Sequence, residues 1–376
     1  MPTAIVLGAG MVGSVMAADM AAQGFDTTIA DISDANLAAA GARARVTTTR
    51  ADLSDPATVK RLVAPFDVVL GALSSRIGLN AMRAVIEAGR DYADISFMAQ
   101  DFTKLDALAR ERGVTVVADC GVAPGMSHIL SAYGASILDR CDEIEIYVGG
   151  LPRERRWPFD YKAAFSPADV IEEYVRPSRI VEHGRVVVRP ALSEPELMDF
   201  AGVGTLEAFN TDGLRSLCTS LNVPFMKEKT LRYPGHIDLM RAFRETGLFS
   251  EDEIEVRGVK VRPLDVTSKL LFPKWTYQPG EEDLTVMRVI ARGQKSGRSA
   301  THTWDLLDFY NKETHATSMA RTTAFPCTIV AGLIAKGRIK QPGVNPPECL
   351  GTLPGIVDEL MAQHKARGVH YSHSIT

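Results

Sequence analysis

Several features that would point to particular protein classes are scarce in this sequence. The 42 lysines and arginines are balanced by 46 aspartates and glutamates, so the net charge of −4 provides no basic surface for nucleic acid. No uninterrupted apolar run approaches the roughly 18 residues that a membrane-spanning helix needs. The first residues enter an apolar strand directly, without the pattern of a signal peptide. We therefore expect a cytoplasmic protein without nucleic-acid or membrane partners.

Cysteine is also scarce, and its spacing does not suggest a metal site. The five cysteines are odd in number and form no CxxC pair or evident zinc set; they are Cys120, Cys141, Cys218, Cys327 and Cys349. This pattern favours free thiols in a reducing compartment and no bound metal.

Strand and helix patterns alternate through the first part of the 376-residue chain. This alternation indicates a parallel sheet with helices on both faces, whose ligand lies beyond the carboxyl ends of the strands. The predicted strands are Ala4–Leu7, Thr27–Ala30, Val46–Thr49, Val68–Leu73 and Val114–Ala118, and the helices between them Ser33–Ala44, Pro56–Leu62, Gly78–Ala88 and Ala99–Glu111. Ser33 and Ser54 are expected to cap the helices that follow them.

A glycine-rich turn follows the first predicted strand. Gly8, Gly10 and Gly13 form a GxGxxG pattern immediately before a helical stretch, Met11–Gln23. The first glycine permits a tight turn, the second lets a pyrophosphate approach the backbone, and the third lets the helix pack closely on the strand. Because free N–H groups at a helix N-terminus attract anions, the pattern predicts a dinucleotide-binding site. An ordinary glycine-rich turn is the alternative.

An acidic residue, Asp31, ends the second predicted strand at the distance that this motif requires. A carboxylate there accepts hydrogen bonds from the ribose hydroxyls and repels a 2′-phosphate. No lysine or arginine follows until Arg43. The sequence therefore predicts NAD rather than NADP as the cofactor.

The pattern changes after about residue 125, where short β-like segments indicate an α+β domain with a largely antiparallel sheet. Glu143–Val148 is predicted as a strand that ends at Gly149, and His183-Gly184 as a hairpin turn. Further predicted segments are the β-like Arg179–Val181, Val186–Arg189, Thr230–Tyr233, Glu253–Val261 and Thr285–Ala291, and the helices Met319–Lys336, with Gly337 as C-cap, and Gly355–Arg367.

These patterns predict an α/β protein with three parts. Residues 1–125 form a Rossmann NAD-binding domain, and residues 126–317 form a substrate-binding α+β domain. Residues 318–376 form C-terminal helices that pack back on the Rossmann domain.

Polar residues follow the ends of two predicted strands of the first domain. Asp94 lies in DYADIS, and Asp119 and Cys120 begin DCGVAPG. Because the carboxyl ends of parallel strands meet at one edge, we expect these residues beside the nicotinamide. Asp94 and Asp119 are candidate catalytic acids or bases, and Cys120 a candidate substrate contact. The structural alternatives are a turn cap, a helix-entry acid and a packing thiol, respectively.

The stretch KTLRYPGH in the second domain contains another polar group. His236 is the third catalytic candidate, and Arg232 and Tyr233 are candidate substrate contacts, together with Tyr161 in DYKAAFSP. An arginine here would hold a substrate carboxylate in a bidentate contact. The alternatives are an ion pair of Arg232 with Glu228 or another acid, and a histidine whose hydrogen bonds are satisfied by the protein.

At these motifs the chain resembles the saccharopine dehydrogenase-like oxidoreductases over nearly its whole length, and most closely the L-lysine 6-dehydrogenase branch. The similar blocks are GAGMVG, DIS, CGVAPG, YVGGLP (147–152), AAFSPADVIEEY (163–174), GTLEAFNTDG (204–213), KTLRYPGH (229–236), MARTTAFP (319–326) and GVNPPE near residue 343. Cys120 resembles the thiol of the saccharopine reductases rather than the aliphatic residue often found in the lysine branch.

The resemblance implies a two-domain, NAD-dependent amino-acid dehydrogenase that forms a homodimer or larger assembly through its second domain. In the lysine branch, hydride leaves the carbon that bears the ε-amine. The imine is hydrolysed to a semialdehyde, which cyclises to piperideine-6-carboxylate, and ammonia is released. The residues expected to bind the cofactor are Gly8, Gly10, Met11, Val12, Gly13, Asp31, Ala72 and Gly121.

Two other functions stay open. A saccharopine-type reductase would join an amino acid to a semialdehyde, and the many arginines of the second domain are compatible with its additional carboxylates. A non-catalytic scaffold would bind NAD without turnover. Reduction of NAD that depends on an amine substrate separates the enzymes from the scaffold.

Overall fold

A computed structural model describes residues 1–278 and 280–376, which form two compact units. The first unit comprises Met1–Tyr133, Lys312–Ala316 and Ala320–His370, and the second comprises Gly134–Asn311, Thr317–Met319 and Tyr371–Thr376. The N-terminal part of the first unit contains β1 (Thr3–Leu7), α1 (Met11–Ala22), β2 (Asp26–Asp31), α2 (Asp34–Arg43), β3 (Thr47–Arg50), α3 (Pro56–Val63), β4 (Val68–Gly71), α4 (Ser75–Glu87), β5 (Asp91–Asp94), a 3₁₀ turn (Phe102–Leu105), α5 (Asp106–Arg112) and β6 (Thr115–Val117). The helix α6 (Met126–Ile137) begins in this unit and ends in the next.

The second unit contains most of the remaining strands. Its elements are β7 (Arg140–Pro152), α7 (Pro167–Val175), β8 (Ser178–Glu182), β9 (Arg185–Arg189), β10 (Glu196–Phe200), β11 (Gly204–Asn210), α8 (Leu217–Ser220), β12 (Phe225–Arg232), α9 (His236–Glu245), β13 (Ile254–Val256), β14 (Val259–Val261), α10 (Pro263–Trp275), β15 (Asp283–Lys295) and β16 (Arg298–Phe309). The C-terminal region adds α11 (Ser318–Ala335), β17 (Gly343–Asn345), α12 (Glu348–Gly351), α13 (Ile356–Ala366) and β18 (Tyr371–Ile375).

The sheet of the first unit is parallel throughout and has the strand order β17-β6-β5-β4-β1-β2-β3. The order reverses between β1 and β4, which is the switch point where ligands of such sheets bind. Residues Ala4–Leu7 of β1 are completely buried, as expected for a strand covered on both faces. This arrangement confirms the predicted α/β class and places the glycine-rich turn at the switch point.

The two predicted serine caps have different outcomes. The hydroxyl of Ser33 accepts the N–H of Asn36 at 3.3 Å and caps α2, which confirms the prediction. Ser54 does not cap α3, because the Asp55 carboxylate accepts the first N–H groups of that helix and Pro56 occupies its first turn. The Ser54 hydroxyl donates instead to Asp52 at 2.6 Å.

The large sheet of the second unit has nine strands and is mixed. Its main path is β10-β11-β12-β7-β15-β16-β18, and the β8–β9 hairpin pairs with β12. The β7–β12 pair is parallel, whereas β15 pairs antiparallel with both β7 and β16. Arg288 of β15 lies 4.9 Å from the ring centroid of Phe200, at the end of the edge strand β10. Phe200 belongs to a buried apolar cluster that also contains Tyr147, Leu231 and Val286.

Two predicted segments in this unit differ from the structure. The strand β7 continues through Gly149 and Gly150, because these glycines allow close packing rather than a break. A Cβ atom on Gly149 would lie 2.7 Å from the Leu231 carbonyl oxygen. Glu253–Val261 is a hairpin rather than one segment, with Arg257 and Gly258 both at positive φ in its turn. The predicted His183-Gly184 turn is confirmed.

The helix α11 ends as predicted, since the N–H of Gly337 donates to Ile334 at 2.8 Å and its φ is 67°. Among the described residues, Ser318–Ala335 is the one helix whose length and hydropathy would allow it to span a membrane. Within the protein 89% of this stretch is buried, as expected for a core helix.

Candidate functional site

The glycine-rich turn has the geometry that a dinucleotide requires. A Cβ atom on Gly13 would collide with the carbonyl oxygen of Gly8. Gly8 has a φ of 102°, and a Cβ atom there would collide with the carbonyl oxygen of Ala72. Gly10 is different, because a Cβ there would meet no atom within 4 Å. Two glycines thus allow close packing, and the third leaves its face open to a phosphate. The first N–H groups of α1, which begins at Met11, have no partners within the helix.

Asp31 is held in a fixed orientation at the end of β2. Its Oδ2 atom accepts the N–H of Ala9 at 2.7 Å, and its Oδ1 atom accepts the N–H of Ser33 at 2.8 Å. A carboxylate has about four acceptor positions, so two stay available for ribose hydroxyls. Arg50 is opposite Asp31 on β3, but its Nε donates to the Ile32 carbonyl at 3.2 Å and lies 3.6 Å from Asp34. The carboxylate is therefore oriented mainly by backbone N–H groups.

The two other predicted cofactor contacts lie in loops after β4 and β6. Ala72 follows β4, and its N–H donates to Leu7 at 2.8 Å. Gly121 begins a tight loop in which its N–H donates to Pro124 at 3.0 Å, and the Ala123–Pro124 bond is cis. Both loops extend from the carboxyl edge of the first sheet. A pyridine nucleotide fits this set of residues: Gly8, Gly10, Met11, Val12, Gly13, Asp31, Ala72 and Gly121.

Asp94 is completely buried at the end of β5. Its Oδ1 atom accepts hydrogen bonds from the hydroxyls of Tyr92 at 3.0 Å and Ser96 at 2.8 Å. Among the described residues, its Oδ2 atom has no hydrogen-bond partner. Burial raises the pKa of Asp94 to about 7, although the bonds from Ser96 and Tyr92 favour the charged form. Asp94 can therefore gain or lose a proton near neutral pH.

Asp119 and Cys120 are close to Asp94. Asp119 is 1% exposed with a φ of 52°, and its charge further raises the pKa of Asp94. The N–H of Cys120 donates to the Asp94 carbonyl at 2.8 Å. Cys327 of α11, which sequence reasoning did not connect with this region, contacts the Cys120 thiol, and burial raises the pKa of Cys327. The predicted residues Asp94, Asp119 and Cys120 thus lie together in a buried cluster.

In the second unit Arg232 is 2% exposed, and its ion-pair partner is Glu173 rather than Glu228. Its Nη2 atom donates to Glu173 at 2.7 Å, and its guanidinium carbon lies 4.5 Å from the centre of the Tyr161 ring. Desolvation opposes the charge of Arg232, but Tyr161, Tyr174 and Glu173 hold its pKa above the usual range. The N–H donors of Arg232 thus have partners within the protein, as expected if this residue forms an ion pair with an acid of the protein.

His236 begins α9 and is 2% exposed. Its Nδ1 atom lies 3.0 Å from the Phe159 carbonyl, and its Nε2 atom lies 2.9 Å from the Tyr174 hydroxyl. Burial, with a smaller contribution from Arg232, lowers the pKa of His236 to about 3. The histidine is therefore neutral and hydrogen-bonded within the protein, as its structural alternative expected.

Tyr233 does not belong to this cluster. Its hydroxyl donates to the Pro152 carbonyl at 3.0 Å, and its ring belongs to the buried apolar cluster that contains Leu231. Arg232, next to it in sequence, lies with Tyr161 among the helices. The structure thus separates Tyr233 from the residues with which it was grouped as a substrate contact.

Sequence reasoning missed Glu173, Tyr174 and Trp275 as parts of the Arg232 cluster. Tyr174 shares the buried face of α7 with Val170 and Ile171, a spacing that the sequence displays. The Tyr161 ring packs edge-on against Trp275 at 5.4 Å between centroids. Among the described residues, no group of three or more histidines, cysteines, aspartates or glutamates has the arrangement of a metal site.

Comparison with known proteins identifies relatives along most of the chain. The chain is 23% identical over 389 residues to the bovine "Alpha-aminoadipic semialdehyde synthase, mitochondrial". This alignment covers 84% of the present chain and 41% of the bovine protein. It is 21% identical to "Saccharopine dehydrogenase [NADP(+), L-glutamate-forming]" of Saccharomyces cerevisiae, with 96% of each chain covered. The chain thus spans less than half of the bovine protein.

A solved structure and two family models agree with these relatives. The apo structure of saccharopine dehydrogenase (L-Glu forming) from Saccharomyces cerevisiae has the same fold, with a TM-score of 0.83, 18% identity and complete coverage of both chains. Residues 4–117 match the "Saccharopine dehydrogenase NADP binding domain". Residues 121–369 match the "Saccharopine dehydrogenase C-terminal domain", and the chain therefore belongs to the saccharopine dehydrogenase family.

Proposed function

We propose that this protein is an NAD-dependent amino-acid dehydrogenase that oxidatively deaminates the ε-amine of L-lysine or a closely related amino acid. The products are the semialdehyde, which cyclises to piperideine-6-carboxylate, and ammonia. Asp31 is the observation that carries the proposal, because its fixed carboxylate favours an unphosphorylated ribose. The lysine preference is supported by the similarity of 121–139 and 319–326 to the lysine branch.

NAD is proposed although the matching domain model and the yeast relative carry NADP in their names. A 2′-phosphate beside Asp31 would meet a negative charge that two backbone N–H groups keep in place. Arg50 is the nearest cation by strand register, and it is engaged with Ile32 and Asp34. Electrostatic repulsion therefore favours NAD.

The chemistry requires a neutral amine at the reacting carbon, because an ammonium has no lone pair to stabilise the forming iminium. Bound NAD would accept the hydride. Asp94 is the residue that we propose to receive a proton, since burial places its pKa at about 7. The Ser96 hydroxyl, which donates to Asp94 and accepts the N–H of Leu73 at 3.1 Å, keeps this carboxyl oriented. Asp119 is the second acid proposed to act on the imine and water.

In the second unit the more accessible member of the Arg232–Glu173 ion pair is the carboxylate of Glu173. The Glu173 side chain is 19% exposed, whereas the Arg232 side chain is 3% exposed. Arg232 therefore orients Glu173. His236 and Tyr174 position the pair from within the protein.

A saccharopine-type reductase is the second candidate, because the yeast relative of that name aligns over 96% of each chain. Such a reaction requires cations for additional carboxylates. Arg153, Arg155 and Arg156 were possible anchors, but each forms an ion pair, with Glu282 at 2.8 Å, Asp160 at 2.8 Å and Glu281 at 2.9 Å, respectively.

The experiment is a substrate panel with two cofactors. Purified protein is supplied with L-lysine, L-ornithine or saccharopine and with NAD or NADP at alkaline pH, and reduced cofactor and ammonia are measured. We expect reduction of NAD with lysine and an equal amount of ammonia. Saccharopine-dependent reduction without ammonia would establish the second candidate instead. Binding of NAD without any turnover would leave a non-catalytic scaffold and refute both enzyme functions.

A further inference from the structure

Two histidines meet at one edge of the nine-stranded sheet. His302 lies on β16 and His373 on the edge strand β18, 71 residues apart in sequence. The Nδ1 atom of His302 lies 3.0 Å from the Nε2 atom of His373. One of these nitrogens carries the hydrogen of this bond and the other accepts it. We call these two residues the histidine pair.

The strand register holds the histidine pair in place. β16 pairs antiparallel with β18, with Trp304 opposite His373. His302 lies two residues before Trp304, so the two histidines are diagonal neighbours on one face of the ladder. Beside them, Thr301 and Thr376 exchange two backbone hydrogen bonds of 2.8 and 3.0 Å. The backbone therefore brings the two imidazoles together.

The indole ring of Trp304 orients both imidazoles. Its centroid lies 4.6 Å from that of His373, with an angle of 2° between the ring planes. It lies 5.9 Å from the centroid of His302, with an angle of 19°. The planes of the two imidazoles differ by 18°. Both rings thus stack on the same indole, with one nitrogen of each facing the other ring.

The histidine pair lies where the protein interior meets solvent. His302 is 8% exposed, whereas His373 is exposed. Partial burial lowers the pKa of both histidines, so both are mainly neutral at neutral pH, and the neutral ring is the form that binds metal ions. Lys295, whose charge acts on His302, forms an ion pair with Asp139 at 3.1 Å. A cation can therefore approach the pair from the side of His373.

We propose that the histidine pair binds a divalent transition-metal ion of the late first row, such as Ni²⁺ or Zn²⁺, which imidazole ligands suit. Imidazole nitrogens bind Zn²⁺ at about 2.0–2.1 Å, so two of them on one ion, at angles of about 90–110°, are about 2.9–3.4 Å apart. The observed separation of 3.0 Å lies within this range. The ion takes the place of the hydrogen between the rings. That hydrogen moves to the other nitrogen of the ring that carried it, and small rotations turn both lone pairs toward the ion.

Two protein ligands leave part of the coordination sphere open. Among the described residues, no third histidine, cysteine or carboxylate completes a metal-binding group with the pair, so water fills the remaining positions. Structural zinc sites have four protein ligands. This site is therefore weaker than a structural zinc site, and its ion joins β18 to β16. Because it lies on the sheet of the second unit, it does not depend on the proposed dehydrogenase activity.

Titration calorimetry of the protein without a histidine tag tests the proposal with Zn²⁺ and Ni²⁺. We expect the wild type and His370→Gln to bind one equivalent of either ion. His370 is the matched control, since it is an exposed histidine three residues before His373. His302→Gln and His373→Gln should each bind with a Kd about 10-fold higher or more, because glutamine can keep a hydrogen bond but does not replace the imidazole ligand. Circular dichroism shows that each variant is folded.

Tryptophan fluorescence locates the bound ion. The three tryptophans are Trp157, Trp275 and Trp304, and replacing the 91% exposed Trp157 by Trp157→Phe leaves the two buried indoles as emitters. Ni²⁺ has a partly filled d shell and quenches an indole stacked on its ligand, whereas Zn²⁺ has a filled d shell. We expect Ni²⁺ to quench this emission, Zn²⁺ to restore it by competition, and both histidine variants to lose the quenching.

Two results would overturn the proposal. The first is a wild type that binds neither ion at millimolar concentration. The second is binding or quenching that His302→Gln and His373→Gln leave unchanged, because the ion would then lie at other residues and the histidine pair would only connect two strands.

Discussion

The Oδ2 atom of Asp31 accepts the backbone N–H of Ala9 at 2.7 Å, joining the end of β2 to the glycine-rich turn after β1. The residue that we propose to select the ribose is thus bonded to the loop that we expect to receive the phosphates. Because its other oxygen accepts the Ser33 N–H at 2.8 Å, the carboxylate cannot turn away without losing two bonds. The proposed choice of cofactor and the geometry of the loop therefore depend on the same side chain.

This link predicts the effect of removing the charge of Asp31. Asp31→Asn keeps the shape and one acceptor but removes the repulsion of a 2′-phosphate. We expect the ratio of kcat/KM for NADP to that for NAD to rise by about 10-fold or more. The Kd of each reduced cofactor, measured by fluorescence, should change in the same direction. Asp26→Asn is the control, because Asp26 is an exposed acid at the opposite end of β2. An unchanged ratio in Asp31→Asn would show that Asp31 does not contact the ribose.

The glycines of the phosphate loop should respond differently to the same substitution. Gly13→Ala introduces a methyl group against the Gly8 carbonyl and should lower the free energy of unfolding by about 1–3 kcal/mol. Gly10→Ala meets no protein atom, so Tm should stay close to that of the wild type while NAD binds more weakly. Thermal unfolding and cofactor titration of both variants measure the two effects. Equal losses of stability would contradict this division of roles.

The raised pKa of Asp94 predicts a pH dependence of activity. If Asp94 receives a proton from the substrate, kcat/KM should fall as pH drops through about 7, and Asp94→Asn should lose this ionisation together with most of the activity. Measurement of kcat/KM from pH 5 to 9 tests the assignment. A wild-type profile without an ionisation near neutrality would exclude Asp94 as the base.

The raised pKa of Asp94 also predicts that the free energy of unfolding depends on pH, in the direction opposite to that of activity. The pKa of Asp94 rises from an ordinary value of 3.8 to about 7 on folding, so the folded protein binds more protons between these pH values. Stability therefore falls as pH rises from about 4 to 7, and then stays constant with respect to this group. Asp94→Asn should gain Tm relative to the wild type at pH 8 more than at pH 5. A difference in Tm that does not depend on pH would refute this origin.

His236 should contribute stability without setting the pH profile. Its pKa of about 3 keeps it neutral during catalysis, and both ring nitrogens have protein partners. His236→Gln should reduce the free energy of unfolding by about 1–3 kcal/mol and leave the apparent pKa values of kcat/KM unchanged. Loss of an ionisation between pH 5 and 8 in this variant would instead restore His236 as an acid–base residue.

Local patterns of the sequence were sufficient for the first sheet and its phosphate loop. The glycines, the buried run of β1 and Asp31 lie within 31 residues, and their roles depend on neighbouring backbone. The cap of α3 was mistaken by one residue, since Ser54 and Asp55 are both good caps and Pro56 decides between them. Because proline is favoured at the first helical position, Pro56 makes Asp55 rather than Ser54 the cap.

The second unit was harder to predict because its contacts are distant in sequence. Glu173 pairs with Arg232 from 59 residues away, and no local pattern predicts that contact. Tyr233 was grouped with Arg232 because the two are adjacent, although successive side chains of an extended strand point to opposite faces. The glycines of β7 resembled a strand end, and only the neighbouring Leu231 explains them.

Transfer of deuterium is the most direct test of the central claim. L-lysine dideuterated at the ε-carbon is incubated with the protein and NAD, and the reduced cofactor is analysed by mass spectrometry. The account predicts that the reduced NAD carries one deuterium and that ammonia appears in equal amount. Reduced cofactor without deuterium, or deuterium transferred to NADP but not to NAD, would contradict it.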